Sequence, residues 1–327
     1  MALGSNHVTH TTASAASRTK SNSAFIRELW EDEIIAAYKS NLVLPNLSVV
    51  MNHNGSKGDT IHVPRPTRGT PSAKAANTEV TLIATQESLS TYSIDQHWEY
   101  SRLIEDIVSI QADDSLRRFY TDDAGYGLAK KVDSDLHGTA QFLNAAAVGT
   151  QTDATKVAAS ALDGAVIGSG VTQWDPSTTG NGAELDDAAI RAFIQTLDDN
   201  DASSQGRVLV IPPVVKNQLL GISRFTEQAF TGEVAGNNSI RNGLVGSLYG
   251  VDIYVSTNCA SVQSADTTPY RVGLMFQQEA LVHIEQLRPR AQTQYKLEYL
   301  GDLMTSDTLY GQGVLRPEAG LSFVVPA

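Results

Sequence analysis

The stretch LIEDIVSIQADDSLRRFYTDDAGYGLAKKVDSDL, residues 103–136, decides the fold of this chain. Its apolar residues recur at spacings of three and four, and acids precede Lys130 and Lys131, the order that a helix dipole favours. A helix from residue 108 to residue 136 is about 45 Å long, roughly three times an ordinary globular helix. Gly125 and Gly127 cost about 1 kcal/mol each relative to Ala, so a bend or break would occur there if the helix is not continuous. The pattern predicts either a long core helix in an α+β protein or a spine that braces a large, flat subunit. The apolar stripe consists of Val108, Ala112, Leu116, Phe119, Tyr120, Leu128, Val132 and Leu136.

The N-terminal segment is predicted to be a loose arm followed by a short helix. Residues 1–23 are rich in Ser, Thr, Ala and Asn and contain almost nothing to bury, which predicts a mobile arm. Ser23 then caps an amphipathic helix that extends to residue 40. Because this helix is short and tethered to a loose arm, we expect its apolar face to pack on a neighbouring subunit. That face consists of Phe25, Ile26, Leu29, Trp30, Ile34 and Tyr38.

Residues 50–100 are predicted to form a long two-stranded β-flap. Residues 59–64 alternate in polarity and end in a proline-rich segment that cannot be a central strand, and the chain returns through residues 79–83 and 91–100. An isolated hairpin is marginally stable in water, so a flap of this kind must lean on another surface. Its tip carries Arg65, Arg68 and Lys74, for which an acidic surface of a neighbour is favoured over a DNA contact.

The remainder of the chain is predicted to form an α/β domain and then a return to strands. Residues 140–183 are rich in Ala, Gly and Thr and predict loops with short strands. The α/β signals are an amphipathic helix at 184–197, a strand at 207–211, a helix that starts at Pro212-Pro213 and ends before Gly221, a loop at 222–243 and a turn into a strand at 243–256. The later predicted strands are 271–276, 280–284, 294–299 and 321–325.

Composition excludes several classes of protein. The formal net charge of −12 disfavours a general nucleic-acid binder. The single cysteine, Cys259, excludes an internal disulfide framework and a cysteine-based zinc site. No apolar run approaches the length of a membrane span, and the first 23 residues lack the hydrophobic core of a secretion signal.

No motif in the sequence predicts catalysis, and no residue is predicted to bind a metal or cofactor. The P-loop, the nucleophile elbow and the H-E-x-x-H pair are all absent, and the short glycine pairs lack the setting of a dinucleotide site. The histidines at 53, 62, 97, 137 and 283 are scattered, and in strand patterns a structural imidazole is favoured over a catalytic one. Paired acids such as Asp122-Asp123 lie on helix faces, where solvated charge is the expected explanation.

The order of these pieces resembles the HK97-like fold of the major capsid protein of tailed bacteriophages. The segment GLVGSLYGVDIYVS, residues 243–256, is similar to the family's glycine-bounded turn and strand near the end of the axial domain. The segment VLVIPP, residues 208–213, is similar to the family's strand before an axial-domain helix. The resemblance covers nearly the whole chain from Ser23 onward.

The resemblance implies an α+β shell-building subunit with four parts. Residues 1–49 are the N-terminal arm with its short helix, 50–100 the extended loop, 101–145 with 262–327 the peripheral domain that holds the spine helix, and 146–261 the axial domain. It implies a non-enzymatic coat protein that self-assembles into hexamers and pentamers of an icosahedral shell around double-stranded DNA. Implied partners are further copies of the chain, a scaffolding protein, a portal and a cement or decoration protein, with assembly in the bacterial cytoplasm and residence in the virion.

The resemblance also raises the question of covalent cross-linking. Some members of the family join a lysine on the extended loop to an asparagine in a neighbour's peripheral domain. Lys74 lies where that lysine is expected, but residues 260–327 contain no asparagine. We therefore expect a shell held by non-covalent contacts only.

Two other functions compete with the phage capsid. One is an enzyme with an α/β domain and substrate-binding flaps, which is disfavoured because nucleophile, metal and phosphate motifs are missing. The other is an encapsulin nanocompartment, which resembles the same fold but packages protein cargo. The long polar arm and the lack of an evident cargo-docking signature disfavour it. Enclosed DNA distinguishes a phage shell from an encapsulin.

Overall fold

Two multi-stranded β-sheets, a separate two-stranded ribbon and one long helix are the main features of the described residues. The computed structural model describes residues 34, 42–55, 57–66, 69, 71–80, 82, 87–107, 116–143, 166–167, 174, 182–222, 246–263 and 269–327. The strands are β1 (Val49–Asn52), β2 (Thr60–Pro66), β3 (Glu87–Ser93), β4 (Gln96–Glu105), β5 (Val166–Ile167), β6 (Arg207–Ile211), β7 (Ser247–Leu248), β8 (Val251–Val255), β9 (Ser261–Gln263), β10 (Pro269–Gln277), β11 (Leu281–Lys296), β12 (Gly301–Val314) and β13 (Gly320–Pro326). The α-helices with described bounds are α1 (Leu44–Leu47), α2 (Leu116–Ala140), α3 (Asp187–Asp199) and α4 (Pro213–Gly221).

The smaller sheet has four strands in the order β1-β11-β12-β4. Strand β1 is parallel to β11, whereas β11, β12 and β4 are antiparallel neighbours. Helix α2 packs against this sheet, since Leu128, Ala129 and Val132 form a buried cluster with Tyr310 of β12. With 25 residues, the helix is about 37 Å long.

The larger sheet has seven strands, in the order β5-β13-β10-β6-β8-β7, with β9 also paired to β10. All five residues of β6 are buried, as expected of a strand that is covered on both faces. Helix α3 is capped by Asp186, whose carboxylate accepts the Ala189 N–H at 2.7 Å. It packs Phe193 onto Phe323 of β13, with ring centroids 5.0 Å apart. The C-terminal end of α2 enters the same core through Leu136 and Ala140, so this helix contacts both sheets.

A separate two-stranded ribbon, β2 paired antiparallel with β3, lies in the chain between β1 and β4 of the smaller sheet. The prolines of β2 are compatible with this position, because a two-stranded ribbon has no central strand. The predicted strand at 79–83 is wrong, since residues 79 and 80 have no strand structure and the return strand is β3. The predicted flap is also too long, because β4 does not belong to the ribbon and instead forms an edge of the four-stranded sheet.

The spine helix exists, but the first residues of the stretch assigned to it are not helical. Residues 103–105 belong to β4, where pairing with β12 decides their conformation, and helix α2 continues to residue 140. The helix passes through Gly125 and Gly127 without a break. Of the predicted apolar stripe, Leu128, Val132 and Leu136 are buried, whereas Phe119 is exposed. Val108 and Ala112 lie outside the described residues.

The predicted boundary between residues 261 and 262 divides a single sheet. Strands β10 and β13, assigned to the peripheral part, pair with each other, and β10 also pairs with β6 of the expected axial part. The predicted strands at 280–284 and 294–299 are one strand, β11, and residues 297–300 form the turn that follows it. The predicted strands at 207–211 and 321–325 are confirmed, and so are the two helices, although the first runs from Asp187 to Asp199 and the second includes Gly221, which was expected to follow its end. Most of the N-terminal arm and its helix, much of residues 140–183, and residues 223–243 of the predicted loop lie outside the described residues.

Candidate assembly surfaces

Buried polar side chains on α2 hold the subunit together. The carboxylate of Asp133, which is fully buried, accepts the Leu44 N–H and the Asn258 side-chain N–H, each at 2.8 Å. Leu44 begins α1 and Asn258 lies in the loop after β8, so one carboxylate joins the spine helix to the segment that leaves the N-terminal arm and to the larger sheet. A buried charge is tolerated when hydrogen bonds surround it in this way.

Asp135 and Lys131 of α2 join this helix to the smaller sheet. Asp135 accepts a hydrogen bond from Tyr310 of β12 and one from Lys131, both at 2.7 Å. The ammonium group of Lys131 also lies 4.2 Å from the centroid of the Trp98 ring on β4, a cation–π contact. The polar residues of α2 therefore fix its position relative to both sheets.

The imidazole of His137 is buried next to Asp133. Its Nε2 lies 3.3 Å from the Ser256 hydroxyl and 3.7 Å from the carboxylate of Asp133. Burial lowers the pKa of His137 below its ordinary value of 6.5, although the charge of Asp133 acts in the opposite direction. The buried imidazole of His137 therefore favours its neutral form.

The base of the ribbon fits against two glycines of β12. A Cβ at Gly313 would overlap the ring of Tyr92, and a Cβ at Gly311 would approach the backbone at Ser93. The Tyr92 hydroxyl donates to the Val314 carbonyl at 3.1 Å. Tyr92 and Ile94 are buried with Val282 and Ile284 of β11. The expectation that the flap leans on another surface is confirmed at its base, where that surface belongs to the same chain.

An ion pair connects three strands of the smaller sheet. Arg290 of β11 donates two hydrogen bonds to Asp307 of β12, at 2.8 and 2.9 Å, and His97 of β4 lies 3.2 Å from the same carboxylate. Burial alone would raise the pKa of Asp307, but the hydrogen bonds from Arg290 and His97 outweigh it and hold that pKa below its usual value. This pair strengthens the sheet where β11 has an irregular register.

The far end of the ribbon, which we call the ribbon tip (residues 69, 71–80 and 82), is exposed at every described residue. Lys74 lies within it, as the sequence predicted, whereas the side chains of Arg65 and Arg68 lie outside the described residues. Two apolar side chains, Val80 and Leu82, are also exposed there. Water-exposed apolar side chains at the end of a protruding ribbon are typical of a surface that binds a partner.

The turn between β11 and β12 forms a second exposed apolar surface, which we call the hairpin end (residues 105–107 and 295–302). Leu297, Tyr299 and Leu300 are exposed there, together with Ile107. The Tyr295 hydroxyl donates to Asp106 at 2.7 Å, and this bond raises the pKa of Tyr295. The predicted strand at 294–299 gave no indication of this surface, because residues 297–300 form a turn instead.

The lone cysteine and the strand histidines are the other residues that the sequence singled out. Cys259 is buried, and burial raises the pKa of its thiol to about 12, so it is an unreactive thiol. His62, His97 and His283 lie in strands, as expected. Among the described residues, no group of three His, Cys, Asp or Glu side chains is arranged to hold a metal. No described helix is both long and apolar enough to cross a membrane.

The comparisons with known proteins agree with this architecture. The profile of a family described as phage capsid protein matches residues 105–308. The structure is similar to that of Mycobacterium phage Che8, with 20% identity and a TM-score of 0.62 over 86% of this chain and 90% of that chain. It is similar to the capsid of the cyanophage P-SCSP1u, with 18% identity and a TM-score of 0.66 over 87% and 88% of the two chains. A virus-like particle from Pyrococcus furiosus gives 13% identity and a TM-score of 0.52 over 91% and 99%. No curated protein matches the sequence. At these identities the solved structures show a shared fold, and they confirm the predicted α+β, HK97-like class.

Proposed function

We propose, because this chain belongs to the phage capsid protein family, that its copies form hexamers and pentamers of an icosahedral shell around the double-stranded DNA of a tailed bacteriophage. The chain is a structural capsid protein and a component of the virion. We further propose that it has no enzymatic activity and that it assembles in the bacterial cytoplasm with a scaffolding protein, a portal and a cement protein. We propose the same four parts, namely the N-terminal arm, the extended loop, the peripheral domain and the axial domain. The one change is that β10 and β13, which belong to the seven-stranded sheet, are assigned to the axial domain.

One observation carries the proposal most directly. The ribbon tip is exposed along its described length and includes apolar side chains, although the ribbon base is firmly packed on its own subunit. A rigidly attached protrusion with an unburied apolar end gains burial only from another molecule. Many weak contacts of this kind, repeated around a shell, give a stable assembly whose single contacts remain reversible.

The acidic charge of the chain agrees with enclosed DNA that is not bound by sequence. A formal net charge of −12 disfavours tight binding of the wall to phosphates. The encapsulin alternative shares the fold, and the phage capsid family match favours the virion.

Assembly is tested by expressing the chain with and without its phage's scaffolding protein. Sedimentation velocity and negative-stain electron microscopy are expected to show large, closed particles. A protein that stays at 35.1 kDa under both conditions and at high concentration would contradict the proposal. Particles that package protein but no DNA in infected cells would support the encapsulin alternative instead.

A further inference from the structure

A short loop joins the smaller sheet to the ribbon, and we call residues 53–59 the sheet–ribbon loop. Strand β1 ends at Asn52, paired with β11, and β2 begins at Thr60, paired with β3. The described residues 54, 55 and 57–59 of the loop are exposed. The loop contains an asparagine directly followed by a glycine, Asn54-Gly55.

Hydrogen bonds fix both ends of the sheet–ribbon loop. At its start, the His53 N–H donates to the Glu285 carbonyl of β11 at 2.9 Å. At its end, the Ile94 N–H donates to the Asp59 carbonyl at 2.7 Å. The length of main chain between these two hydrogen bonds therefore helps to set how the ribbon sits on the smaller sheet.

The side chain of Asn54 is exposed, and no described residue forms a hydrogen bond with its carboxamide. Its backbone N–H donates to Asn52 Oδ1 at 3.1 Å, so the turn is held by the side chain of Asn52 instead. Three other described asparagines, Asn46, Asn200 and Asn258, donate through Nδ2 to oxygen atoms of the protein. The carboxamide of Asn54 is therefore able to rotate toward the backbone that follows it.

The backbone nitrogen that follows Asn54 is unusually accessible. Gly55 has a φ of +76°, and a Cβ added to it would meet no atom within 4 Å. A glycine also adds no side chain of its own beside this nitrogen. The exposed Asn77 lacks this setting, because the branched residue Thr78 follows it. Among the described asparagines, only Asn54 precedes a glycine.

We propose that Asn54 is a site of spontaneous covalent modification, which converts it into an isoaspartyl residue that lengthens the sheet–ribbon loop. The amide nitrogen of Gly55, deprotonated by hydroxide, attacks Cγ of Asn54 and forms a five-membered succinimide ring. The bond from Cγ to Nδ2 breaks as this bond forms, and Nδ2 takes a proton from water and leaves as ammonia. Water then adds to one of the two ring carbonyls, breaks its C–N bond and leaves aspartate or isoaspartate. Proximity of the two groups in one chain supplies the rate.

The isoaspartyl product changes both length and charge. Its main chain runs through Cβ and Cγ, which adds one carbon–carbon bond of about 1.5 Å. Because both ends of the loop are fixed, this extra length weakens the hydrogen bonds of His53 and Asp59 and loosens the ribbon base. A carboxylate also replaces a neutral amide. This chemistry needs only the folded subunit, so it goes beyond the proposed function and does not depend on shell formation.

Mass spectrometry of aged protein tests the modification. The purified chain is kept in mildly alkaline buffer at physiological temperature, sampled over days and digested with trypsin. The peptide that contains Asn54 is expected to gain the mass difference between a hydroxyl and an amino group. It should also separate into two products, one of which is methylated by an isoaspartyl methyltransferase. The peptide that contains Asn77, an exposed asparagine in the same sample, should be modified severalfold less.

Two controls decide whether this sequence and this fold direct the reaction. Asn54→Gln should lose the modification at this position, because ring closure by glutamine needs a less favoured six-membered ring. The native chain should be modified at Asn54 at least as fast as a chain unfolded in guanidinium chloride. A native rate severalfold below the unfolded rate, or a native rate equal to that of Asn77, would overturn the proposal. Fragment spectra separate this site from the Asn-Gly pairs at 181–182 and 242–243, whose asparagines lie outside the described residues.

Hydrogen exchange tests the proposed lengthening. In the aged, isoaspartyl-containing fraction, the amides of His53 and Ile94 are expected to exchange severalfold faster than in fresh protein. Freshly prepared Asn54→Asp adds the charge without the extra backbone bond and should exchange like fresh protein. Equal exchange in the aged and fresh samples would overturn the lengthening, and equally fast exchange in Asn54→Asp would assign the effect to charge instead and overturn it too.

Discussion

Replacement of Asp133 by alanine tests whether buried hydrogen bonds on the spine helix hold the subunit together. The carboxylate accepts two hydrogen bonds at 2.8 Å, from the backbone of Leu44 and the side chain of Asn258. Hydrogen bonds to a charged group contribute about 1.5–3 kcal/mol each, so their loss costs about 3–6 kcal/mol. Relief of the desolvated charge and the higher helix propensity of alanine offset part of that cost. We expect a net loss of about 2–4 kcal/mol in the free energy of unfolding.

Urea unfolding of dissociated subunits, followed by far-ultraviolet circular dichroism, measures this loss. Asp133→Asn keeps an acceptor for Leu44 but turns an amide toward Asn258, so we expect a smaller loss of about 1–2 kcal/mol. Asp122→Ala, on the exposed face of the same helix, is the matched control and should change stability by less than about 0.5 kcal/mol. An Asp133→Ala subunit as stable as the Asp122→Ala control would refute the reasoning.

Four other results are expected. Ile34→Ala should lower the unfolding free energy of the subunit by about 2–5 kcal/mol in urea titrations, because Ile34 is fully buried in its own chain; lost assembly with unchanged unfolding would contradict this. Gly313→Ala should displace the ribbon base and reduce particle yield in sedimentation assays, whereas Gly221→Ala, which meets open space, should assemble normally; equal yields would contradict the fit of the ribbon base. In the native protein the pKa of His137 lies below its ordinary value of 6.5, so the stabilising contribution of the neutral imidazole is complete above about pH 6.5 and is lost as the pH falls below 6.5. His137→Gln should therefore reduce the slope of the unfolding free energy against pH below pH 6.5. An unchanged slope would contradict a buried neutral imidazole. Mature particles boiled in denaturant should give one band near 35.1 kDa, and a ladder of covalent oligomers that disappears in Lys74→Ala would contradict non-covalent assembly.

The sequence predicts elements whose periodicity agrees with their burial. Helix α3 and strand β6 were predicted within a few residues, because their apolar positions face one continuous core. The spine helix was predicted in its C-terminal part for the same reason. Its start was misplaced because residues 103–105 follow strand pairing with β12 rather than their own helical spacing.

Tertiary contacts explain what the sequence analysis missed. Strand β12 buries the polar residues Ser306, Asp307 and Thr308, so its alternation is weak and it was not predicted at all. Strand β11 changes register between Glu285 and Arg290, which made one strand resemble two.

The expected partner of the arm helix was wrong at the one position that the structure describes. Ile34 packs with Ala124, Ala291 and Met304 of its own chain. The sequence had predicted that Ile34 packs on a neighbouring subunit.

The polar contacts of the spine helix carry a signal that sequence reasoning overlooked. Asp133 and His137 each directly follow an apolar residue of the buried stripe, Val132 and Leu136. Charged residues so close to an apolar stripe indicate buried hydrogen bonds, whereas the sequence reasoning considered only the paired acids of this helix and assigned them to solvent. Their partners, in α1 and in the loop after β8, cannot be read from local spacing.

Cryo-electron microscopy of particles purified from infected cells tests the central claim most directly. The account predicts a closed icosahedral shell built from clusters of six and five copies of this chain, with DNA density inside. A reconstruction in which this chain forms no shell, or occurs only as a discrete small oligomer outside the capsid, would contradict the account.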